Sequence, residues 1–223
     1  MAPPTFSTAA RELARIGKRF YDRDWALGTS GNFSAVISRD PLHLAITASS
    51  VHKGMLTPSQ VLRLDERGRV VGRAARRPSA ESLLHIEIVR RCGAGAVLHT
   101  HSVWATLLSD IHAKQGGLAL EGYEMLKGLD GVHTHEHREW IPIVDNDQDM
   151  SRLASRFAST LDENPSAKGI LLQRHGLYTW GATLADAERH VEILEFLFET
   201  IGRTATLNSR ERKEVAHGAI TNS

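Results

Sequence analysis

Apolar residues recur along much of the chain at the spacing that an amphipathic helix requires. Residues 7–24 place their apolar side chains on one stripe, which predicts the first helix. A long helix is predicted to begin at Thr183, where Asp186 stands three residues further on as a capping partner. The same spacing predicts two more helices, over 79–91 and 147–161.

Other segments carry the short apolar or alternating runs that are typical of strands. Residues 95–100 and 169–174 are compact apolar runs of the kind that buried strands show. Further strands are predicted over 33–37, 42–47, 61–64 and 177–180. Because strands and helices are interleaved, we expect an α/β fold in which helices cover both faces of one sheet.

The chain is expected to form one domain over residues 1–204, followed by a polar C-terminal tail over residues 205–223. A length of 223 residues supports one substantial core and does not require a second domain. The sequence turns polar beyond Thr204, and we expect this tail to be mobile.

Composition narrows the possible partners. The formal charge is +1 at pH 7, so no global field favours nucleic acid or an anionic membrane. A single cysteine, Cys92, cannot support a disulfide framework, which favours a reducing compartment. The N-terminus lacks the pattern of a secretory signal, and no apolar run approaches the roughly 20 residues that span a bilayer. We therefore expect a cytoplasmic protein whose attraction for any anionic substrate is local.

The sharpest chemical signal is His99-Thr100-His101, at the end of an apolar strand. Alternate residues of a strand point to the same face, so His99 and His101 can converge on one metal ion. The alternative is a pair of partly buried histidines that bond to backbone carbonyls. His175 is the leading third ligand, because it also follows an apolar strand and precedes a glycine that permits a tight turn. Three ligands with one open position are typical of a catalytic zinc site.

A rival histidine cluster occupies residues 133–137, His-Thr-His-Glu-His. It lies in a polar segment without a flanking apolar strand. A solvated loop is the better interpretation, since loops without supporting contacts seldom hold metal ligands in place.

Two segments rich in small residues have the composition of anion-binding loops. Residues 28–32, Gly-Thr-Ser-Gly-Asn, can expose backbone N–H groups in a concave nest. Residues 47–50 offer hydroxyls and are followed by Lys53, a combination that suits a phosphate monoester. The alternative is two ordinary turns.

Two glutamates are candidates for proton transfer. Glu81 stands at a predicted helix start, where a role in capping is the simpler explanation. Glu124 follows an apolar segment, and a solvated glutamate is the default expectation there.

Taken in order, five motifs resemble the class II aldolase and adducin superfamily across residues 8–202: TSGNFS, TASSVHKG, RPSAES, GAVLHTHS and RHGLYTWG. The ordered set is far more specific than any one motif. The resemblance implies a single-domain α/β/α sandwich on a mixed, largely antiparallel central sheet. It also implies one Zn²⁺ per subunit and a homotetramer with active sites near subunit interfaces.

The resemblance also assigns roles to individual residues. It implies that His99, His101 and His175 bind zinc. Glu81 matches a metal-associated acid/base of several aldolases, and Glu124 matches the proton-transferring acid of the dehydratases. The residues that match the substrate-phosphate region are Gly31, Asn32, Ser49, Ser50 and Lys53. Residues 133–137 lie where these families vary, which leaves their role open.

The segments EGYEMLKGL and RHGLYTWG resemble most the dehydratases of this superfamily, which act on 5-methylthioribulose 1-phosphate in methionine salvage. We therefore expect a hydro-lyase that forms a 2,3-diketo product, with Glu124 as the first choice for the proton transfers and Glu81 as the second. The alternatives are a sugar-phosphate aldolase or a pentulose-phosphate epimerase. A non-catalytic adducin-like module is disfavoured, because all three histidines are in place.

Overall fold

A computed structural model describes the backbone of residues 2–220 and the side chains of residues 2–208. The helices in this part of the chain are α1 (Phe6–Tyr21), α2 (Ser82–Cys92), α3 (Val103–Ile111), α4 (Met150–Glu163) and α5 (Leu184–Ile220). The strands are β1 (Asn32–Arg39), β2 (Leu42–Thr47), β3 (Val61–Asp65), β4 (Ala96–Thr100), β5 (Gly117–Glu121), β6 (Arg138–Val144), β7 (Gly169–Leu172) and β8 (Gly176–Gly181). In the same residues, no helix combines the length and the apolar character that a membrane crossing needs.

The eight strands form one sheet in the order β3-β2-β1-β4-β8-β7-β6-β5. Only β6 and β7 pair in parallel, and the other neighbouring strands are antiparallel. The sheet is therefore mixed and largely antiparallel, as the family resemblance implied.

Helices cover both faces of the sheet. Val97 and Tyr178 lie on the face that packs against α2 and α4, where Phe157 is buried. The neighbouring Leu98 and Leu177 point to the other face, which α1, α3 and α5 cover. Because side chains alternate along a strand, each central strand contributes to two apolar layers. The expected α/β/α sandwich is confirmed.

Most predicted elements are present, with shifted ends. Helix α2 begins at Ser82 and not at residue 79, because Ser79 makes a turn in which its carbonyl accepts the N–H of Ser82 at 3.1 Å. The predicted cap of α5 is present: the Thr183 N–H donates to Asp186 Oδ2 at 3.1 Å, and the Asp186 N–H donates to Thr183 Oγ1 at 3.2 Å.

Three elements were not predicted, and the end of α5 is the boundary that differs most from the sequence prediction. The pattern did not predict α3, β5 or β6; β6 carries Pro142 and charged residues, which hide its strand character. The backbone of α5 continues to Ile220, past the predicted end at Thr204. The polar residues of the expected tail therefore continue a helix, and their side chains beyond residue 208 lie outside the described part of the chain.

The pairing of β4 positions the site. β4 runs antiparallel to both neighbours, so its last residues lie beside the first residues of β1 and β8. His99 is opposite Asn32 on one side and opposite Tyr178 on the other. One end of the sheet thus gathers segments that are far apart in the sequence.

Candidate active site

Three imidazoles meet at this end of the sheet. His99 is the penultimate residue of β4, His101 follows the strand, and His175 lies in the turn between β7 and β8. Their Nε2 atoms are 2.8 Å apart between His101 and His99, 3.1 Å between His175 and His101, and 3.3 Å between His99 and His175. In the part of the chain that the structure describes, these histidines form the one group that could hold a metal ion.

The turn that carries His175 fits tightly against β4. A Cβ atom on Gly176 would lie 2.0 Å from the carbonyl oxygen of Thr100, so no other residue can occupy this position without moving β4. Thr106 of α3 donates its hydroxyl to the carbonyl oxygens of His175, at 3.1 Å, and Ser102, at 2.8 Å. Both ligand-bearing segments are therefore attached to the first turn of α3.

The protonation of His99 suits a ligand. Its Nδ1–H donates to the carbonyl oxygen of Leu177 at 2.9 Å, which leaves a lone pair on Nε2. Its ring stacks on Tyr178 with a centroid distance of 3.8 Å and an interplanar angle of 8°. Burial lowers the pKa of His99 far below its ordinary value, and burial lowers the pKa of His101 to about 4. Neutral imidazoles are the form that binds metal.

The geometry of the cluster fits zinc. Zn–N bonds of about 2.05 Å in a tetrahedron place neighbouring nitrogens roughly 3.3 Å apart, close to the separations seen here. Three Nε2 atoms at this distance bring their lone pairs together, and a cation between them removes the repulsion.

Glu81 lies beside the cluster. Its Oε1 is 3.3 Å from His175 Nε2, and its Oε2 is 3.8 Å from His99 Nε2. The amide of Asn32 donates a hydrogen bond to Oε2. Burial acts to raise the pKa of Glu81, but the neighbouring imidazoles of His175 and His99, together with the hydrogen bond from Asn32, outweigh burial and hold the pKa below its ordinary range. An ionised carboxylate therefore faces the metal position.

The predicted anion-binding loops share one cavity of about 250 Å³ with Glu81 and His101. Ser79 also lines this cavity, although the sequence pattern had indicated only a helix start there. The predicted residues that line it are Gly31, Asn32, Ser49, Ser50 and Lys53. A larger, mostly apolar cleft of about 350 Å³ is lined by the N-terminal residues and the start of α5, and none of the three histidines lines it.

Lys53 supplies a positive charge to the polar cavity. The side chain is 1% exposed, and Nζ donates to the carbonyl oxygens of Thr29 at 3.0 Å and Val51 at 3.1 Å. An ammonium group has three protons, so one N–H remains for a ligand. Burial lowers the pKa of Lys53 to about 8, although the charge of Glu81 acts in the opposite direction.

Glu124 lies apart from these groups. It begins a short 3₁₀ segment, its side chain is 71% exposed, and it pairs with Lys127 and, at 3.8 Å, with His135. None of its contacts reaches the histidine cluster, and it does not line the cavity. The resemblance had led us to expect Glu124 in the active site. The structure of one chain does not bring Glu124 together with His99.

Residues 133–137 form a loop between β5 and β6, as predicted. His137 pairs with Glu139 at 2.9 Å, while His133 and His135 are exposed. These histidines do not join a metal-binding group within the described residues.

A buried carboxylate also lies behind the ligand strand. Glu195 of α5 is 2% exposed and accepts the hydroxyl of Thr100 at 2.9 Å. Burial raises the pKa of Glu195 to about 7. Sequence reasoning missed this contact, because the two residues are 95 positions apart and no local pattern links them.

The comparisons with known proteins agree with this architecture. Residues 11–201 match the family described as Class II Aldolase and Adducin N-terminal domain. The chain is 45% identical over 195 residues to a methylthioribulose-1-phosphate dehydratase of Marinobacter nauticus, covering 87% of this chain and 92% of that protein. It is equally identical, again over 195 residues, to the methylthioribulose-1-phosphate dehydratase of Methylococcus capsulatus, with 87% and 93% covered. The solved L-fuculose-1-phosphate aldolase of Thermus thermophilus has a TM-score of 0.69 at 23% identity, with 92% and 97% covered, which shows a common fold.

Proposed function

The chain belongs to the class II aldolase and adducin N-terminal domain family, and we propose that it dehydrates methylthioribulose 1-phosphate. The observation that supports this choice of substrate is the 45% identity to a methylthioribulose-1-phosphate dehydratase, which extends over 92% of that relative. The activity is that of a hydro-lyase, and its product is a 2,3-diketo-5-methylthiopentyl 1-phosphate. Its place is in methionine salvage, and its location in the cytoplasm stays a prediction.

The proposed cofactor is one Zn²⁺ per chain, held by His99, His101 and His175. The support is the convergence of three Nε2 atoms, one of which has its tautomer fixed by the bond from His99 Nδ1 to Leu177. Bound zinc supplies a Lewis acid that stabilises the negative charge developing when a carbon next to a carbonyl group loses its proton.

The cavity beside the histidines is the proposed phosphate site. Hydroxyls of Ser49 and Ser50 and the ammonium group of Lys53 line it, and they offer the donors that a phosphate monoester requires. Gly31 contributes backbone, and its φ of +72° together with a Cβ position 2.5 Å from the carbonyl oxygen of His99 requires glycine. The phosphate would thus lie next to the carboxylate and the metal position.

The reaction needs a group that removes the C3 proton and assists departure of the C4 hydroxyl. Glu81 is the carboxylate that its own chain places in the cavity. Glu124 keeps its proposed acid/base role only if a second copy of the chain delivers it, since it lies on an exposed surface. A homotetramer with sites at the subunit interfaces is therefore part of this proposal.

An exposed apolar stripe supports such an interface. Val103, Leu107 and Ile111 follow one face of α3 and are 62%, 46% and 65% exposed. This helix begins two residues after His101, so a subunit that covers the stripe would reach the edge of the site.

The experiment that tests the function is incubation of zinc-loaded protein with methylthioribulose 1-phosphate. We expect release of one water and formation of a diketone, detected by mass spectrometry. Cleavage of a carbon–carbon bond would indicate an aldolase, and a change of configuration without loss of water would indicate an epimerase. Absence of any turnover would contradict all three.

The interface role of Glu124 has its own test. His99→Ala and Glu124→Gln chains are each expected to be inactive, and co-expression should restore activity if the two residues act from different subunits. Random assembly then makes roughly a quarter of the sites complete. Mixed assemblies that remain inactive would show that the two residues do not act from different subunits, and a Glu124→Gln chain that is active by itself would remove Glu124 from the reaction.

A further inference from the structure

A line of buried hydrogen bonds runs from the interior of the sheet to Glu81. Ser34 Oγ lies 2.7 Å from Nδ1 of His85, and Nε2 of the same ring bonds to Oδ1 of Asn32. The amide nitrogen of Asn32 then donates to Glu81. Ser34 and His85 are both 0% exposed, and Asn32 is 4% exposed.

The local structure explains how these four side chains align. Asn32 and Ser34 are alternate residues of β1 and therefore point to the same face of the sheet. Glu81 precedes the first residue of α2, and His85 lies one helical turn further on. Two pairs of residues thus meet where α2 packs against β1.

The direction of every hydrogen bond in this line follows from the orientation of Asn32. Its NH₂ group faces the carboxylate of Glu81, and its carbonyl oxygen faces His85. An amide oxygen only accepts, so Nε2 of His85 carries the ring proton. Nδ1 is then a lone pair that accepts the hydroxyl proton of Ser34. Reversing the ring tautomer would turn Asn32 over and place its oxygen against the carboxylate.

We propose that His85 is a positioning residue: through Asn32 it fixes the carboxylate of Glu81 beside His99 and His175. Burial holds the imidazole neutral, which is consistent with a single ring proton on Nε2. The second N–H of the Asn32 amide remains for the cavity, which this residue also lines. The catalytic consequence rests on the proposed function, whereas the tautomer does not.

The first test is the tautomer of His85 in metal-free protein. Long-range ¹H–¹⁵N NMR spectra of ¹⁵N-histidine-labelled protein, assigned by comparison with His85→Gln, should show a neutral ring protonated on Nε2 between pH 6 and 8. A ring protonated on Nδ1 would overturn the proposal. This measurement needs neither zinc nor substrate, so it stands even if the chain does not dehydrate methylthioribulose 1-phosphate.

The second test compares two substitutions. His85→Leu removes the donor to Asn32, whereas the side-chain amide of His85→Gln can replace the Nε2–H donor. With the zinc-loaded enzyme, we expect kcat to fall roughly 10- to 100-fold for His85→Leu, with KM changed less than threefold, because the phosphate cavity is intact. His85→Gln should recover at least half of the lost factor on a logarithmic scale.

Thr179→Val is the matched control. Thr179 is equally buried and bonds to the carbonyl oxygen of Lys168 at 2.6 Å, away from the line. We expect it to lower Tm as much as His85→Leu does and to leave kcat within twofold of the wild type. Equal losses of kcat in Thr179→Val and His85→Leu, or no recovery in a folded His85→Gln, would reduce His85 to a structural residue.

Discussion

Removal of the Lys53 charge should raise KM much more than it lowers kcat. We consider Lys53→Met, which keeps the length of the buried stem and deletes the ammonium group. A hydrogen bond to a charged group contributes about 1.5–3 kcal/mol, which corresponds to a KM roughly 10- to 150-fold higher. The contact is made in the ground state and in the transition state alike, so kcat should change little.

The pKa of Lys53 adds a pH signature. Burial lowers this pKa to about 8, so the free enzyme loses the ammonium charge as the pH rises through 8. At pH 9 about one tenth of the molecules would keep the proton, and KM should rise roughly tenfold between pH 7 and pH 9. The substrate phosphate is already a dianion over this range, since its second pKa is about 6.

The assay is KM for diketone formation at pH 7, 8 and 9, with Lys53→Met, Lys114→Met and the wild type in parallel. Lys114 is exposed and lies outside the cavity, so its substitution should reproduce the wild-type profile. Lys53→Met should show a high KM that no longer depends on pH in this range. A flat wild-type profile, or a collapsed kcat with an unchanged KM in Lys53→Met, would remove Lys53 from the phosphate site.

Three further predictions follow from the site. Purified protein should carry about one zinc per chain by metal analysis. The variants His99→Ala and His175→Ala should lose this zinc. If His135→Ala loses its zinc and the other two variants keep theirs, the ligand assignment is wrong. Glu81→Gln and Glu124→Gln should both stay folded, with turnover lowered roughly 10²- to 10⁴-fold in whichever variant lacks the acid/base; near-normal diketone formation in Glu124→Gln would give that role to Glu81. Tyr178→Phe deletes a buried hydroxyl with no hydrogen-bond partner in the described residues. It should raise the free energy of unfolding, measured with urea, by about 1 kcal/mol. A decrease of more than about 1 kcal/mol in the free energy of unfolding would show that this hydroxyl has a partner.

Local patterns predicted much of the fold and of the metal group. The end of an apolar strand was enough to single out His99 and His101, because a strand places alternate residues on one face. His175 was singled out because it also follows an apolar strand and precedes a glycine. Short elements with mixed composition, such as α3 and β6, were not predicted, because packing against the rest of the chain, and not hydrophobic periodicity, determines their secondary structure.

Contacts between segments that are far apart in the chain could not be predicted from a single sequence. His85 meets Asn32 across 53 positions, and Glu81 lies one turn before His85, yet nothing local indicates a shared hydrogen-bond line. Glu124 is the opposite case, in which a local motif predicted an active-site residue that the fold of one chain does not bring to the site. The motif around it resembled an active-site segment, but one folded chain leaves it exposed, and its proposed role depends on a second copy of the chain.

The central place of β4 also determines when the histidine cluster can form during folding. His99 and His101 are synthesised before His175, which lies 76 positions beyond His99. His175 reaches His99 only after β8 has paired with β4. Contacts of such long sequence separation form slowly, because a large loop has to close first. A growing chain that ends before β7 would hold only two of the three imidazoles, so the proposed metal site would be complete only after the β7–β8 turn has been synthesised. Metal binding would then stabilise completed molecules selectively and leave unfinished ones as weak competitors for the ion.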